Sequence, residues 1–221
     1  MSNSSLVTKT IPSPNNSGTR TKAICRITPH CVVGQCSINA LGDLFANPAR
    51  RGSSNYGIST TGEVGLFVDE SKRSWTSGSA ENDQQAVTIE CASDTFPPYK
   101  FNDKVYSKLV ELCADICRRN GKSKAVWISD KDAALTYKLK DDEMLLTVHR
   151  WFQPTACPGD WLYSRMAKLA SDINATIDNA QNPTIYRVQV GAFIHMKNAQ
   201  ALCDKLKSEG YESAHIVDMK R

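Results

Sequence analysis

Three side chains in this sequence bind transition metals readily and lie where a fold could gather them. His149 and Cys157 share the stretch Leu146-Thr-Val-His149-Arg-Trp-Phe-Gln-Pro-Thr-Ala-Cys157-Pro-Gly, and His30 lies far upstream in Ile27-Thr-Pro-His30-Cys-Val-Val-Gly. Two imidazoles and a thiolate suit zinc, and a catalytic zinc takes three protein ligands and keeps one position open. Cys157 precedes Pro158, which disfavours helical backbone at the cysteine, so the intervening loop can return the thiol toward His149. The competing reading makes each a structural residue, the commoner role of a lone His or Cys, and spacing alone leaves both open. A structural zinc would need a fourth protein ligand. The remaining histidines, His195 and His215, fall in a separate tail, so an open site is the better of the two metal readings.

Glu90 interrupts the apolar run Ala86-Val-Thr-Ile-Glu90-Cys-Ala. A carboxylate buried there without a partner costs several kcal/mol, so it needs a partner, a metal-bound water, or a strand end facing a cleft. The alternative is a strand-end carboxylate on a solvated face.

These residues need elements to hold them. The spacing predicts strands over 23–29, 55–59, 64–68, 86–92, 125–128 and 145–148, with Gly62 supplying the turn between the second and third. Helices are expected over 37–45, 103–120 and 161–173; Val105, Leu109, Leu112, Cys113 and Ile116 make the second the clearest. The Ser-, Thr-, Asn- and Pro-rich N-terminus is expected to drape over the surface, and the polar insertion before 145 has no assigned conformation. Strands alternating with helices favour an α/β sheet covered by helices. A polar linker then leads to a small βαβ unit: a strand over 185–192, a helix over 197–208 and a strand over 213–217.

At 221 residues the chain is long enough for one substantial domain and a remainder. The net charge of +4 comes from dispersed Lys and Arg, not from runs of the kind that bind nucleic acid, so no nucleic-acid partner is expected. The N-terminus has no apolar signal segment and no stretch approaches a membrane span, so no membrane insertion is expected and synthesis is expected in the cytoplasm. Eight cysteines spread over a core-forming chain are expected as reduced thiols.

The segments Thr28-Pro-His30-Cys-Val-Val-Gly-Gln, Ser53-Ser-Asn-Tyr-Gly-Ile58, Trp75-Thr-Ser-Gly78, Val87-Thr-Ile-Glu90, and Leu146-Thr-Val-His149 through Thr155-Ala-Cys157-Pro-Gly159 resemble, in order, the zinc-dependent N-acetylmuramoyl-L-alanine amidases of the type-2 amidase and peptidoglycan-recognition class. In particular these segments look like those of phage endolysins and of autolysins of clostridia and related Firmicutes. The resemblance covers about residues 5–175 and implies an α/β fold with a central mixed β-sheet flanked by helices. It implies Zn2+ on His30, His149 and Cys157, Glu90 as general base and Thr155 beside the developing oxyanion. The substrate implied is peptidoglycan, cut between N-acetylmuramic acid and the L-alanine of the stem peptide after the protein is released to the cell wall.

Three positions depart from the pattern. Ser54 stands where some members carry a catalytic Tyr, with Tyr56 two residues on. Asn55 replaces a frequent His, and Thr155 replaces a frequent Lys, which removes a positive charge near the oxyanion. Tyr56, Trp75 and Trp151 are aromatics that could line the groove, although core positions are the commoner fate. Beyond a linker over 176–183, residues 184–221 resemble the first half of a SPOR domain, a peptidoglycan-binding module, through Tyr186-Arg-Val-Gln-Val-Gly-Ala-Phe193 and Leu206-Lys-Ser-Glu-Gly-Tyr211. So small a unit must dock on the amidase, pair with a second copy as a homodimer, or belong to a truncated product. Two rivals remain: a recognition protein of the same fold that binds without cutting, and a zinc peptidase acting within the stem peptide. The retained Cys157 and Glu90 speak against the first, and the lack of a His-Glu-x-x-His signature speaks against the second.

Overall fold

The computed structural model describes residues 2–181 and 188–218, and the chain divides into two compact units, Met1–Asn182 and Pro183–Arg221. The first holds strands β1 (Val7–Thr10), β2 (Asn16–Thr19) and β3 (Arg26–Cys31), helix α1 (Ile38–Ala46), and strands β4 (Tyr56–Ile58), β5 (Val64–Leu66) and β6 (Lys72–Ser74). Helix α2 (Ala80–Gln85), strand β7 (Ala86–Cys91), helix α3 (Asp103–Arg119), strand β8 (Lys124–Val126), helix α4 (Lys131–Thr136) and strand β9 (Glu143–Leu146) follow. Helices α5 (Asp160–Tyr163) and α6 (Met166–Gln181) complete this unit, and α7 (Met196–Ser208) lies in the second.

Seven strands form one sheet in the order β1-β5-β4-β7-β3-β9-β8, while β2 and β6 pair as a separate antiparallel ribbon. From β4 to β8 all neighbours run parallel; β5 reverses against β4 and takes β1 parallel to itself, so the sheet is mixed. Period-2 alternation gives it two different faces. Ile27, Cys31, Tyr56, Ile58, Val87, Ile89 and Cys91 share one core with Val105, Leu109, Leu112, Cys113 and Ile116 of α3 and Met166, Leu169, Ile173 and Ile177 of α6. The opposite face carries Thr28, His30, Thr88 and Glu90. That is why Glu90 breaks an apolar run: it stands on the other side of the pleat.

On this second face one register row crosses four strands as Gly65, Gly57, Glu90 and His30. A Cβ on Gly57 would stand 2.6 Å from Phe67 and 2.9 Å from Leu41, and one on Gly65 would stand 2.6 Å from Ile38. The two glycines therefore form a platform on which α1 sits through Ile38, Leu41 and Phe45, packed with Phe67 in a second apolar cluster. At the far edge, α6 covers β8: Asn174 accepts from Ala125 N–H at 2.7 Å and donates to Ala125 C=O at 3.0 Å, occupying groups that an open edge would expose.

Several expectations are corrected. The N-terminal segment does not simply drape over the surface. It supplies edge strand β1 and ribbon strand β2, and Ser4 N–H is tied to the Tyr56 hydroxyl at 2.9 Å. The polar insertion contains α4, capped by Asp130. The helix expected over 161–173 is two, α5 and α6. Residues 176–181, expected in the linker, are the last turns of α6, because Ile177 continues the buried stripe of Ile173 and the Thr176 hydroxyl bonds the Asp172 carbonyl at 2.8 Å; the remaining linker positions 182–183 lie outside the described residues. Of the βαβ unit only the helix forms among the described residues: 188–192 and 213–217 carry no strand pairing, and 185–187 lie outside them. One short parallel pair with one helix buries too little to hold a ladder. None of the eight cysteines is paired in a disulfide.

Candidate metal centre

The site assembles at the C-terminal ends of parallel strands. His30 is the penultimate residue of β3 and Glu90 that of β7, and the two are register partners. His149 opens a short 3-10 turn, His149–Trp151, three residues beyond β9. β9 itself ends earlier than expected, although Thr147 N–H still bonds the Ile27 carbonyl at 3.0 Å.

The return of Cys157 is organised by Arg150. Its backbone N–H bonds the Cys157 carbonyl at 3.2 Å, its guanidinium donates to the Ala156 and Cys157 carbonyls and to Asp160, and it lies 4.5 Å over the Tyr163 ring. Trp151 stacks on Trp127 with ring centroids 5.0 Å apart, which fixes the turn from beneath. Thr155 accepts the Cys157 N–H at 3.2 Å through its hydroxyl oxygen.

The donor atoms of His30, His149 and Cys157 all lie within 4.8 Å of one another. His30 Nδ1 is 3.3 Å from Cys157 Sγ and 3.9 Å from Glu90 Oε1, and the two imidazole centroids are 4.9 Å apart. Ligands on one zinc at about 2.0–2.3 Å lie about 3.5 Å apart, so these donors fit such an ion. His30 Nε2 is buried without a hydrogen-bond partner among the described residues.

Electrostatics suit ligation. Burial, aided by His149, pushes His30 well below the ordinary histidine range, and burial also lowers His149; both rings are therefore neutral, the form that binds metal. A hydrogen bond with Cys31, then burial, pushes the Cys157 thiol up, so a cation is what would release its proton. Glu90 is 16% exposed, and burial raises it to about 7 against the opposing pull of Arg50. A carboxyl poised there can both take and return a proton near neutrality.

Not every expected residue joins this centre. Thr155 does adjoin it, through the hydroxyl that meets the Cys157 N–H. Tyr56 is buried away from it, its hydroxyl donating to Glu70 at 2.5 Å. Ser54 and Asn55 are buried among backbone groups and the Arg20 guanidinium. Of the three aromatics, only Trp75 lines the groove beside Glu90 and His149. Arg50, Arg51 and Arg73 also line it; the one signal that could have found them was the adjacent pair Arg50-Arg51 after Pro48.

A family profile described as N-acetylmuramoyl-L-alanine amidase matches residues 20–160, and one described as SPOR domain matches 160–217, so the second begins within the helices of the first unit. None of the curated protein sequences matches significantly. Among solved structures, the fold is similar to the hydrolase AmiA of Staphylococcus aureus, solved with its ligand, at 12% identity and a TM-score of 0.58 over 78% of this chain and 84% of that one. It is also similar to a mutant endolysin from Bacillus subtilis, at 13% identity and a TM-score of 0.55 over 76% and 99%.

Proposed function

Because the chain belongs to the N-acetylmuramoyl-L-alanine amidase family, we propose that His30, His149 and Cys157 hold one zinc ion and that Glu90 is the general acid–base of peptidoglycan amide hydrolysis. The family fixes the reaction: a peptidoglycan amidase cleaves between N-acetylmuramic acid and L-alanine. The observation that carries the site assignment is the convergence of two imidazoles and a thiol within 4.8 Å, with the Glu90 carboxylate 3.9 Å from His30 Nδ1.

Zinc bound there would polarise the lactyl amide carbonyl and make an attacking water acidic. The protein's own work lies around it. Burial keeps His30 and His149 neutral and aimed, and the Arg150 staple holds Cys157 in reach. Glu90 takes the proton of the attacking water and delivers it to the departing amine of L-alanine, which its elevated proton affinity permits at neutral pH. The Thr155 hydroxyl oxygen accepts from the Cys157 N–H, which leaves its own proton free to donate to the carbonyl oxygen as charge develops there. We place this chemistry in an endolysin-type role at the cell wall.

The same proposal gives the second unit a part in holding glycan strands and in pairing with a second copy, since Val188, Val190 and Ile194 are exposed there. Among the described residues no helix is long and apolar enough to cross a membrane. Mass spectrometry of digested cell wall tests the reaction: stem peptides with free N-terminal L-alanine are expected, and cuts elsewhere or none would overturn it.

A further inference from the structure

Cys157 touches a second thiol that the metal centre does not use. His30 and Cys31 are neighbours at the end of β3, but the pleat sends them to opposite faces, His30 to the metal side and Cys31 into the apolar core. Cys157 Sγ meets both. It lies 3.3 Å from His30 Nδ1, its S–H donates to Cys31 Sγ, and it accepts the Cys31 backbone N–H. Cys31 is not among the donors that lie within 4.8 Å of one another, so it stands behind Cys157 and is no fourth ligand.

The fold holds the Cys31 thiol in that place. Val33 N–H donates to Cys31 Sγ. Val33 has φ at 55°, a left-handed conformation that is an outlier for a β-branched residue. Backbone strain of this kind persists only where the surroundings over-determine it. From the other side, the Arg150 guanidinium fixes the Ala156 and Cys157 carbonyls, and so the loop that delivers Cys157. The thiols deeper in the same core are placed differently: Cys91, Cys113 and Cys117 are wholly buried, whereas Cys31 and Cys157 keep 6% and 8% exposure. A peroxide is little larger than water, so this pair is the one it reaches.

We propose that Cys31 is the resolving thiol of a redox switch on this centre: oxidation by hydrogen peroxide joins Cys31 to Cys157 in a disulfide, which removes a metal ligand and silences the hydrolase. The proposal rests on the zinc reading of His30, His149 and Cys157. A ligating cysteine is held as thiolate, the nucleophilic form. Cys157 attacks one peroxide oxygen, the O–O bond breaks, hydroxide leaves and Cys157 becomes a sulfenic acid. The Cys31 sulfur then attacks the Cys157 sulfur and the S–O bond breaks, the oxygen leaving as water with the Cys31 proton. Two electrons have passed from the sulfur pair to the peroxide. Two imidazoles alone fall short of a three-ligand site, so the ion is released. A thiol reductant reopens the bond by exchange and restores the ligand.

The test treats the zinc-loaded full chain with hydrogen peroxide and follows zinc release with a chromogenic chelator beside peptide mass mapping. Zinc loss is expected to rise together with a peptide that joins Cys31 to Cys157, fragmentation assigning the bond to Cys31 and not to Cys36. Dithiothreitol and fresh zinc should then return the parent to nearly full zinc content. Cys31→Ser, whose Cys157 sulfenic acid has no resolving thiol and passes to the irreversible sulfinic acid, should recover less than about half. Cys31→Ala carries the same comparison if the serine variant does not fold, and the crosslink itself is read in the parent. Zinc loss without the crosslink, or equal recovery by the parent and Cys31→Ser, overturns the switch and leaves the metal centre standing. A parent that takes up no zinc refutes the metal centre and the switch with it.

Discussion

Glu90 stands on a strand whose other face is entirely apolar, with His30 beside it in the same register row. With Glu90 as the proposed general acid–base, Glu90→Gln should leave zinc content unchanged while lowering kcat by about a hundredfold to ten-thousandfold. A loss of zinc together with activity would instead make Glu90 a ligand. Thr155→Val should lower kcat by on the order of tenfold to a hundredfold, and Thr155→Ser, which keeps the hydroxyl, should stay near the parent rate; equal losses in both would reduce Thr155 to a loop contact. His30, His149 and Cys157 could be picked out before any fold was known because their types name the chemistry. The arginines could not, since a guanidinium on a loop has no periodicity and reads as solvated surface until a platform is seen to place it.

Between the elements, a buried polar pin aligns the strands that deliver the two imidazoles. The Thr28 hydroxyl on β3 lies 2.8 Å from that of Thr147, just past β9, and Asn82 on α2 bonds both, at 3.0 and 3.1 Å. Asn82→Leu takes one partner from each of two buried hydroxyls, which keep only each other, and should cost about 1–3 kcal/mol in urea denaturation, with weakened metal affinity, because both ligand strands lose their common partner. Unchanged stability would show that the pin is dispensable. Arg119 on α3 pairs with fully buried Glu70, which also receives the Tyr56 hydroxyl. Arg119→Met leaves that carboxylate uncompensated and should destabilise the unit by about 3–5 kcal/mol. Long amphipathic α3 announced itself in the sequence through its repeated apolar stripe. β1 and β2 did not, because four-residue polar strands take their stability from partners far along the chain and carry no periodic signal of their own.

Across the whole molecule, the two units differ in how much they bury. The first has a core drawn from both sheet faces, whereas in the described part of the second only Cys203 is buried among its apolar residues. Amides of α7 should therefore exchange hydrogen well before those of β3 and β7; equal protection would mean that the second unit is as stable as the sheet. Residues 176–181 have the composition of a loop because Thr176, Asp178 and Asn179 face away from the core, while Ile173 and Ile177 on the hidden side of α6 decide their structure. Zinc stoichiometry of the purified protein, measured by elemental analysis beside Cys157→Ala and Glu90→Gln, tests the metal centre most directly. About one zinc per chain is expected in the parent and in Glu90→Gln, with near-complete loss in Cys157→Ala. A parent without zinc, or a Cys157→Ala protein that holds zinc as tightly as the parent, would contradict it.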